Sequence, residues 1–146
     1  PLAWKIRDGF CSFDSREWPD GRYRAKVEVS DAPANPRSDV QTADLLSDEF
    51  MIDNTPPTIS TLNVTRENNM LRVSFTATDA LSVVRSASYC IDARTRKPLR
   101  PVDGVFDSTC ENFEVVVELP AEATVIRVFV ADEYHNIAAR CVPVPR

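Results

Sequence analysis

The sequence has few of the residues on which catalytic sites commonly depend. It contains one histidine, His135, and three glycines among 146 residues. A serine–histidine–acid triad needs a histidine beside a nucleophile, yet no G-x-S-x-G turn and no glycine-rich phosphate loop is present. Since His135 stands among turn residues, we interpret it as a solvated loop side chain. These absences predict a protein that is not an enzyme and that carries no catalytic or cofactor-binding residue.

Long apolar runs, paired cysteines of the C-x-x-C type and an excess of positive charge are also missing. No stretch approaches the eighteen or so apolar residues of a membrane helix, so we expect no membrane insertion. Seventeen Lys and Arg against twenty-two Asp and Glu give a net charge of −5, the wrong sign for a nucleic-acid partner. The chain begins at Pro1 without a signal-like segment, which we take to mean a processed chain or an internal piece of a larger protein.

Alternation of apolar and polar residues dominates what is present. Such period-two runs are typical of half-buried strands, because successive side chains point to opposite faces of a sheet. From residue 58 onward the pattern predicts seven strands, near 59–65, 70–78, 83–92, 98–102, 111–119, 123–131 and 137–143. Seven short strands separated by turn residues predict an all-β chain with an immunoglobulin-like or fibronectin-III-like β-sandwich. The best candidate for a short helical turn is the segment 38–46.

An internal repeat suggests how the chain is divided. Val27–Asn35 and Val128–Asn136 both follow the pattern V-x-V-[SA]-D-x-x-x-N, 101 residues apart. That period is close to the length of one sandwich domain. We therefore predict that residues 1–54 are the C-terminal half of one repeat, residues 55–57 a linker, and residues 58–146 a complete domain. Trp4, Ile6, Phe10 and Phe13 would belong to the middle strands of the half-repeat. A half-sandwich has nothing to cover its apolar face, so we expect it to contact the complete domain, a second copy, or residues outside the chain.

The junction between the two predicted repeats contains consecutive prolines. Asp53, Asn54, Thr55, Pro56 and Pro57 form the predicted interdomain hinge, which two fixed φ angles and two missing backbone donors would stiffen.

Four cysteines, at positions 11, 90, 110 and 141, permit three pairings. Cys90 and Cys110 bracket a loop whose closure is worth on the order of 3 kcal/mol in the chain-entropy model, and they are the predicted disulfide. Two alternatives remain open, namely a bridge between Cys11 and Cys141, and four reduced thiols. A disulfide would indicate an oxidising compartment.

Calcium is the most specific ligand that the residues suggest. Asp31, Asp53, Asn54 and Asp132 offer hard oxygens, of which Ca²⁺ takes six to eight. No D-x-D-x-D loop is present, and we assign no metal ligand. Two acidic loop groups, 103–111 and 48–53, are interpreted as solvated rather than as a glycosidase pair. Trp4 and Trp18 are interpreted as core or rim residues rather than as a sugar-binding platform.

Several segments resemble a known class of module. PDGRYRAKVEVSDAPANP, IDNTPP, ATDALSVVRSASYCID and PVDGVFDSTCENF are similar to immunoglobulin-like, fibronectin-III-like modules of bacterial secreted proteins. In particular, they resemble the modules that follow β-propeller repeats of the NHL or WD40 type in exported proteins; Cys90 and Cys110 depart from that pattern. The resemblance implies a non-catalytic spacer, scaffold or interaction module that is secreted, periplasmic or at the cell surface. Its partners would be upstream domains of the same polypeptide, such as a propeller, or a second copy bound through the half-domain. The alternative is a carbohydrate- or calcium-dependent adhesion module.

Overall fold

A computed structural model describes residues 10–92 and 94–146 of the chain. Strands contain 49% of the residues and helices 2%, so the predicted all-β class is confirmed. The chain divides into two compact units, Pro1–Asp53 and Asn54–Arg146. In the part of the chain that is described, no helix is both long and apolar enough to cross a lipid bilayer.

The first unit is built on one long, interrupted hairpin. Strand β1 (Gly21–Tyr23) pairs with β4 (Phe50–Ile52), and β2 (Lys26–Ser30) pairs with β3 (Thr42–Leu46). Tyr23 lies opposite Phe50 whereas Lys26 lies opposite Leu46, so the β3–β4 side has one extra residue. Ser47 bridges this irregularity, because its hydroxyl accepts the Ala25 N–H and its own N–H donates to the Ala25 carbonyl. The geometry is that of a β-bulge.

The structure corrects two expectations for this unit, and a third concerns residues that it does not describe. The segment 38–46 holds strand β3 instead of a helical turn, because Thr42–Leu46 finds backbone partners along β2. Phe10 and Phe13, expected in middle strands, lie outside any strand, and both are exposed. Trp4 and Ile6 lie outside the described residues. The only helix in residues 10–53 is a 3₁₀ turn at Ser15–Glu17.

Aromatic side chains provide the main packing of the first unit. Trp18 meets Tyr23 edge-on at 5.5 Å between ring centroids and lies 5.7 Å from Phe13. Tyr23 stacks on Phe50 at 6.3 Å. These offset and T-shaped arrangements are the favoured geometries for aromatic pairs. Trp18 is therefore a packing residue, as the sequence predicts.

The second unit contains eight antiparallel strands in two sheets. They are β5 (Thr58–Ile59), β6 (Asn63–Glu67), β7 (Met70–Thr78), β8 (Val84–Ile91), β9 (Lys97–Leu99), β10 (Cys110–Glu118), β11 (Val125–Asp132) and β12 (Ile137–Pro143). One sheet has the order β10-β7-β5, with β6 also paired to β7, and the other has the order β12-β11-β8-β9. The bounds agree with those predicted to within two residues, with two exceptions. The first strand is interrupted at residues 60–62, and the strand predicted near 98–102 is the shorter β9, which ends at Leu99.

The core of the second unit lies between these two sheets. Inward residues of β7, such as Leu71 and Val73, are fully buried, as are Val128 and Val130 of β11. Phe75 stacks on Phe113 at 4.8 Å. Alternation thus produces one buried face in strands such as β7 and β11, and each fully buried side chain contributes about 1.5–3 kcal/mol.

One arginine joins the rims of the two sheets. The Arg140 guanidinium on β12 donates to the carbonyl oxygens of Ile59 at 3.0 Å and Ser60 at 2.7 Å. These carbonyls belong to β5 and the interruption that follows it. The interruption therefore directs backbone acceptors towards the other sheet, and this linkage is not evident from the sequence.

The β2–β3 and β11–β12 hairpins are paired in the same register. Val27 and Val29 lie opposite Leu45 and Ala43, just as Val128 and Val130 lie opposite Arg140 and Ala138. The turn chemistry is also shared. The N–H of Asp31 donates to the Gln41 carbonyl and its Oδ1 accepts the Gln41 N–H, which repeats the contacts between Asp132 and Asn136. Gln41, and not the sequence-aligned Asn35, occupies the position of Asn136, because the first loop is six residues longer.

Candidate functional site

Two buried aspartates lie at one end of the second unit's sandwich. Asp79 follows β7 and Asp132 ends β11, and both side chains are buried (6% and 0% exposed). A carboxylate oxygen of one lies within 4.8 Å of a carboxylate oxygen of the other. Asp79 directly follows its strand and Asp132 is the last residue of its strand, and the topology brings these two strand ends together. This pair is the strongest polar cluster within the described residues of the second unit.

Asp79 organises the turn that leads from β7 to β8. Its Oδ1 accepts the backbone N–H groups of Leu81 at 2.9 Å and Ser82 at 2.8 Å. The Ser82 hydroxyl donates to the same oxygen at 3.2 Å. Aspartate commonly closes turns in this way, so Asp79 has a structural role independent of any ligand.

Asp132 organises the turn between β11 and β12. Its Oδ1 accepts the Asn136 N–H at 2.9 Å, and its Oδ2 accepts the Asn136 side-chain amide at 2.8 Å. His135 in this turn is exposed and has a φ of 67°, in the left-handed region. The expectation of a solvated loop histidine is therefore confirmed.

Two ionised carboxylates at this separation repel each other, and burial strengthens the repulsion because the surroundings screen charge less than water does. Hydrogen bonds from the turns offset part of that cost. A cation placed between the oxygens would offset more of it. The pair supplies two ligand groups, however, and Ca²⁺ takes six to eight oxygens. The pair therefore does not define a calcium site by itself.

The sequence-derived calcium candidates are distributed along the chain. Asp132 lies beside Asp79, which the sequence analysis did not single out. Asp31 belongs to the first unit, where its carboxylate accepts the Gln41 N–H at 2.7 Å. Asp53 and Asn54 are the residues on either side of the boundary between the two units. Its position in the sequence could have revealed Asp79 as a candidate, because Asp79 directly follows a predicted strand just as Asp132 lies at the end of one.

The predicted hinge residues have no regular secondary structure. Asp53 is buried, Asn54 is half-buried, Thr55 and Pro56 are exposed, and Pro57 is buried. Strand β5 begins directly afterwards. A hinge function for this segment stays a prediction.

No disulfide is present among the described residues, and all four cysteines are free. The predicted Cys90–Cys110 bridge is not formed in this structure. Cys90 is buried in β8, in the β12-β11-β8-β9 sheet, whereas Cys110 begins β10 in the other sheet. The Cys110 thiol instead accepts from the Thr78 hydroxyl at 3.6 Å. Cys11 and Cys141 are both exposed and free, so the alternative bridge is also absent.

The remaining acidic and basic groups of the loops have structural roles. Glu111 is buried, and its Oε1 accepts the N–H groups of Asp107 and Ser108 at 3.1 and 3.0 Å. It orders its own loop, so the expectation of a solvated side chain is wrong for this residue. Arg96, between β8 and β9, lies 3.5 Å above the ring of Phe129, a cation–π contact.

Two open grooves also lie on the second unit. The larger lies along the edge of β10 and is lined by Tyr89, Arg94, Lys97 and the segment 115–120. The smaller lies on the outer face of β7 and β10, where the Thr76 hydroxyl donates to the Asn112 side-chain oxygen at 2.8 Å. Neither groove contains an arrangement of a nucleophile with a base.

A comparison of the chain with protein-family models, with curated protein sequences and with solved structures gives no match in any of the three.

Proposed function

We propose that the chain is a non-catalytic immunoglobulin-like, fibronectin-III-like module that acts as a spacer or scaffold within a larger secreted or surface protein. The strand order of the second unit carries the proposal. Strands β5/β6, β7 and β10 form one layer, and β12, β11, β8 and β9 form the other. If β5 and β6 are counted as one interrupted strand, the first, second and fifth strands form one sheet and the third, sixth and seventh the other, as in an immunoglobulin-like sandwich. The fourth strand, β9, pairs with the third strand, β8.

A mechanical role agrees with how the second unit is connected. Its first strand, β5, and its last strand, β12, belong to different sheets, and Arg140 joins them through two hydrogen bonds. A pulling force applied at residues 54 and 146 therefore loads a rim that side-chain hydrogen bonds reinforce. The exported location depends on the sequence resemblance alone, because the free thiols remove the argument from a disulfide.

Single-molecule stretching of the full chain between flanking marker domains tests the spacer role. We expect the second unit to unfold in one event that releases about 30 nm of contour length, since an extended chain spans roughly 3.3–3.6 Å per residue. Arg140→Ala, which removes both hydrogen bonds, should lower the unfolding force. Gradual extension without a discrete event contradicts a load-bearing spacer. Specific binding on a glycan array favours the adhesion alternative instead.

The calcium-dependent alternative has its own test. Thermal unfolding of the full chain is measured with EDTA and with Ca²⁺, using Asp132→Asn as the variant and the exposed Asp103→Asn as the control. If Ca²⁺ binds at the buried pair, it raises the melting temperature of the wild type and of Asp103→Asn but not of Asp132→Asn. Asp53→Asn tests the sequence-derived candidate at the junction. Equal melting temperatures with and without Ca²⁺ exclude this alternative.

A further inference from the structure

We propose that β2 of the first unit is an acceptor for an extended β-strand of a partner protein, whose apolar residues alternate and whose central residue is basic. The strand would add antiparallel along the second edge of β2 and cover Val27 and Val29. This inference concerns the first unit and does not depend on the spacer role proposed for the second.

The apolar face of the β2–β3 hairpin is exposed although its counterpart is buried. Val27 and Val29 are 55% and 59% exposed, whereas Val128 and Val130, at the same positions of β11–β12, are 0% and 1% exposed. Leu45, on the same face as Val27, is 74% exposed. Neighbouring apolar side chains exposed on one face are typical of an interaction surface.

The second unit shows which neighbour this hairpin lacks. Strand β11 pairs with β12 on one side and with β8 on the other. In that second pairing Val128 lies opposite Tyr89 and Val130 lies opposite Ala87. Strand β2 pairs with β3 and with no other strand in the described residues. An unpaired edge presents backbone donors and acceptors to an incoming strand.

Charge on the polar face of the hairpin specifies the central residue of the partner. Lys26 contacts both Glu28, at 2.6 Å, and Asp44, at 3.5 Å. One cation between two carboxylates leaves a net charge of −1 beside the open edge. Glu28 occupies the position of Phe129, whose neighbour on β8 is Ser88. A basic residue at the Ser88 position of an incoming strand would therefore face Glu28.

The same charge argues against a second copy of the chain as the occupant. Antiparallel pairing of β2 with a second β2 in full overlap places Val27 opposite Val29 and Glu28 opposite Glu28. Like charges directly opposite each other destabilise a strand pair.

The probe is a synthetic peptide with the sequence of β8, Val84–Ile91, in which Ser88→Lys supplies the basic residue and Cys90→Ser prevents oxidation. A scrambled peptide of the same composition without alternation is the control. Binding to the full 146-residue chain is measured by calorimetry, and residue-resolved amide exchange locates it. We expect binding of the alternating peptide only, with new protection of β2 amides.

Matched variants of the chain separate the two faces of the hairpin. Val29→Ser, on the apolar face, should weaken peptide binding at least about tenfold, a change of 1.4 kcal/mol. Leu46→Ser, on the polar face, should change it less than about twofold. Glu28→Lys should reverse the preference, so that a Ser88→Glu peptide binds better than the Ser88→Lys peptide.

Four results would overturn the proposal. The first is that the alternating peptide does not bind, and the second is that Val29→Ser and Leu46→Ser weaken its binding equally. The third is that the peptide protects amides of β11 instead of β2. The fourth is that light scattering shows a dimer of the chain, which Val29→Ser abolishes. The last result assigns the surface to a second copy. None of them affects the stretching experiment on the second unit, so failure here and failure of the spacer role are distinguishable.

Discussion

The two hairpins of this chain have the same pairing and the same turn contacts, yet only one of them is covered. In β11–β12 the inward valines lie beneath a second sheet, while in β2–β3 the corresponding valines are exposed. Local pairing therefore does not require burial of the apolar face. The difference teaches that strand register follows from the hairpin itself, whereas the energetic value of its apolar residues depends on what lies above them.

The largest expected effect on stability comes from introducing a charge at Val130 or at Val29, which occupy equivalent positions in the two hairpins. Val130→Asp places an unpaired carboxylate between the two sheets and should destabilise the second unit by more than about 3 kcal/mol. Val29→Asp leaves the charge in water and should cost less than about 1 kcal/mol. Residue-resolved amide exchange measures both units separately. Comparable losses in the two variants would show that the β2–β3 face is covered in solution.

Asp132 and Asp31 close the equivalent turns of the two hairpins, and the costs of removing them should differ by less than those of the two valine variants. Asp132→Ala removes two partly buried hydrogen bonds with Asn136, at a cost of about 2 kcal/mol in the free energy of unfolding of the second unit. Asp31→Ala exposes the Gln41 N–H to water and should cost about 0.5 kcal/mol in the first unit. Urea unfolding followed by amide exchange checks both values. An Asp31→Ala cost as large as that of Asp132→Ala would mean that both turns are equally buried.

The smallest effects concern two exposed carboxyls, one in each unit. The side-chain hydrogen bond from Arg16, with a backbone bond from the same residue, lowers the pKa of Asp14 from 3.8 to about 2. The Thr124 hydroxyl, with the N–H groups of Thr124 and Val125, lowers the pKa of Asp92 below 3.8. Since both pKa values are depressed on folding, the stability that each carboxyl contributes is complete above pH 3.8 and is lost as the pH falls below it.

Carboxyl-carbon NMR titration measures these two groups directly. Arg16→Ala should raise the pKa of Asp14 towards 3.8 without changing that of Asp92, and Thr124→Val should do the reverse. Each shift stays incomplete because the backbone N–H donors remain. A wild-type Asp14 that titrates at its ordinary value would show that the contact with Arg16 does not persist in solution.

Most of the second unit could be predicted from its sequence. Alternation places Leu71, Val73 and Val117 on inward faces, and each of them is buried. The turn at Asp103–Gly104 was also predictable, because glycine accommodates the φ of 86° found there. Period two is a local property that these strands of the second unit display without reference to their partners.

The features that could not be predicted depend on distant neighbours. Thr42–Leu46 resembles a helical turn by itself and is a strand because β2 supplies its backbone partners. Asp79 is 53 residues from Asp132 in the chain, so nothing local indicates that their carboxylates meet. Cys90 and Cys110 bracket one loop in the sequence, which favours a bridge that closes it. In the structure Cys90 lies in β8 and Cys110 begins β10, and these two strands belong to different sheets.

The sequence alone determined the all-β class and most strand positions of the second unit. These depend on side-chain alternation and on turn residues, which act over a few positions. Tertiary structure decided which valines are buried, which carboxylates lie together and that the thiols are free. Those outcomes depend on how the sheets pack, since packing brings together residues that lie far apart in the chain.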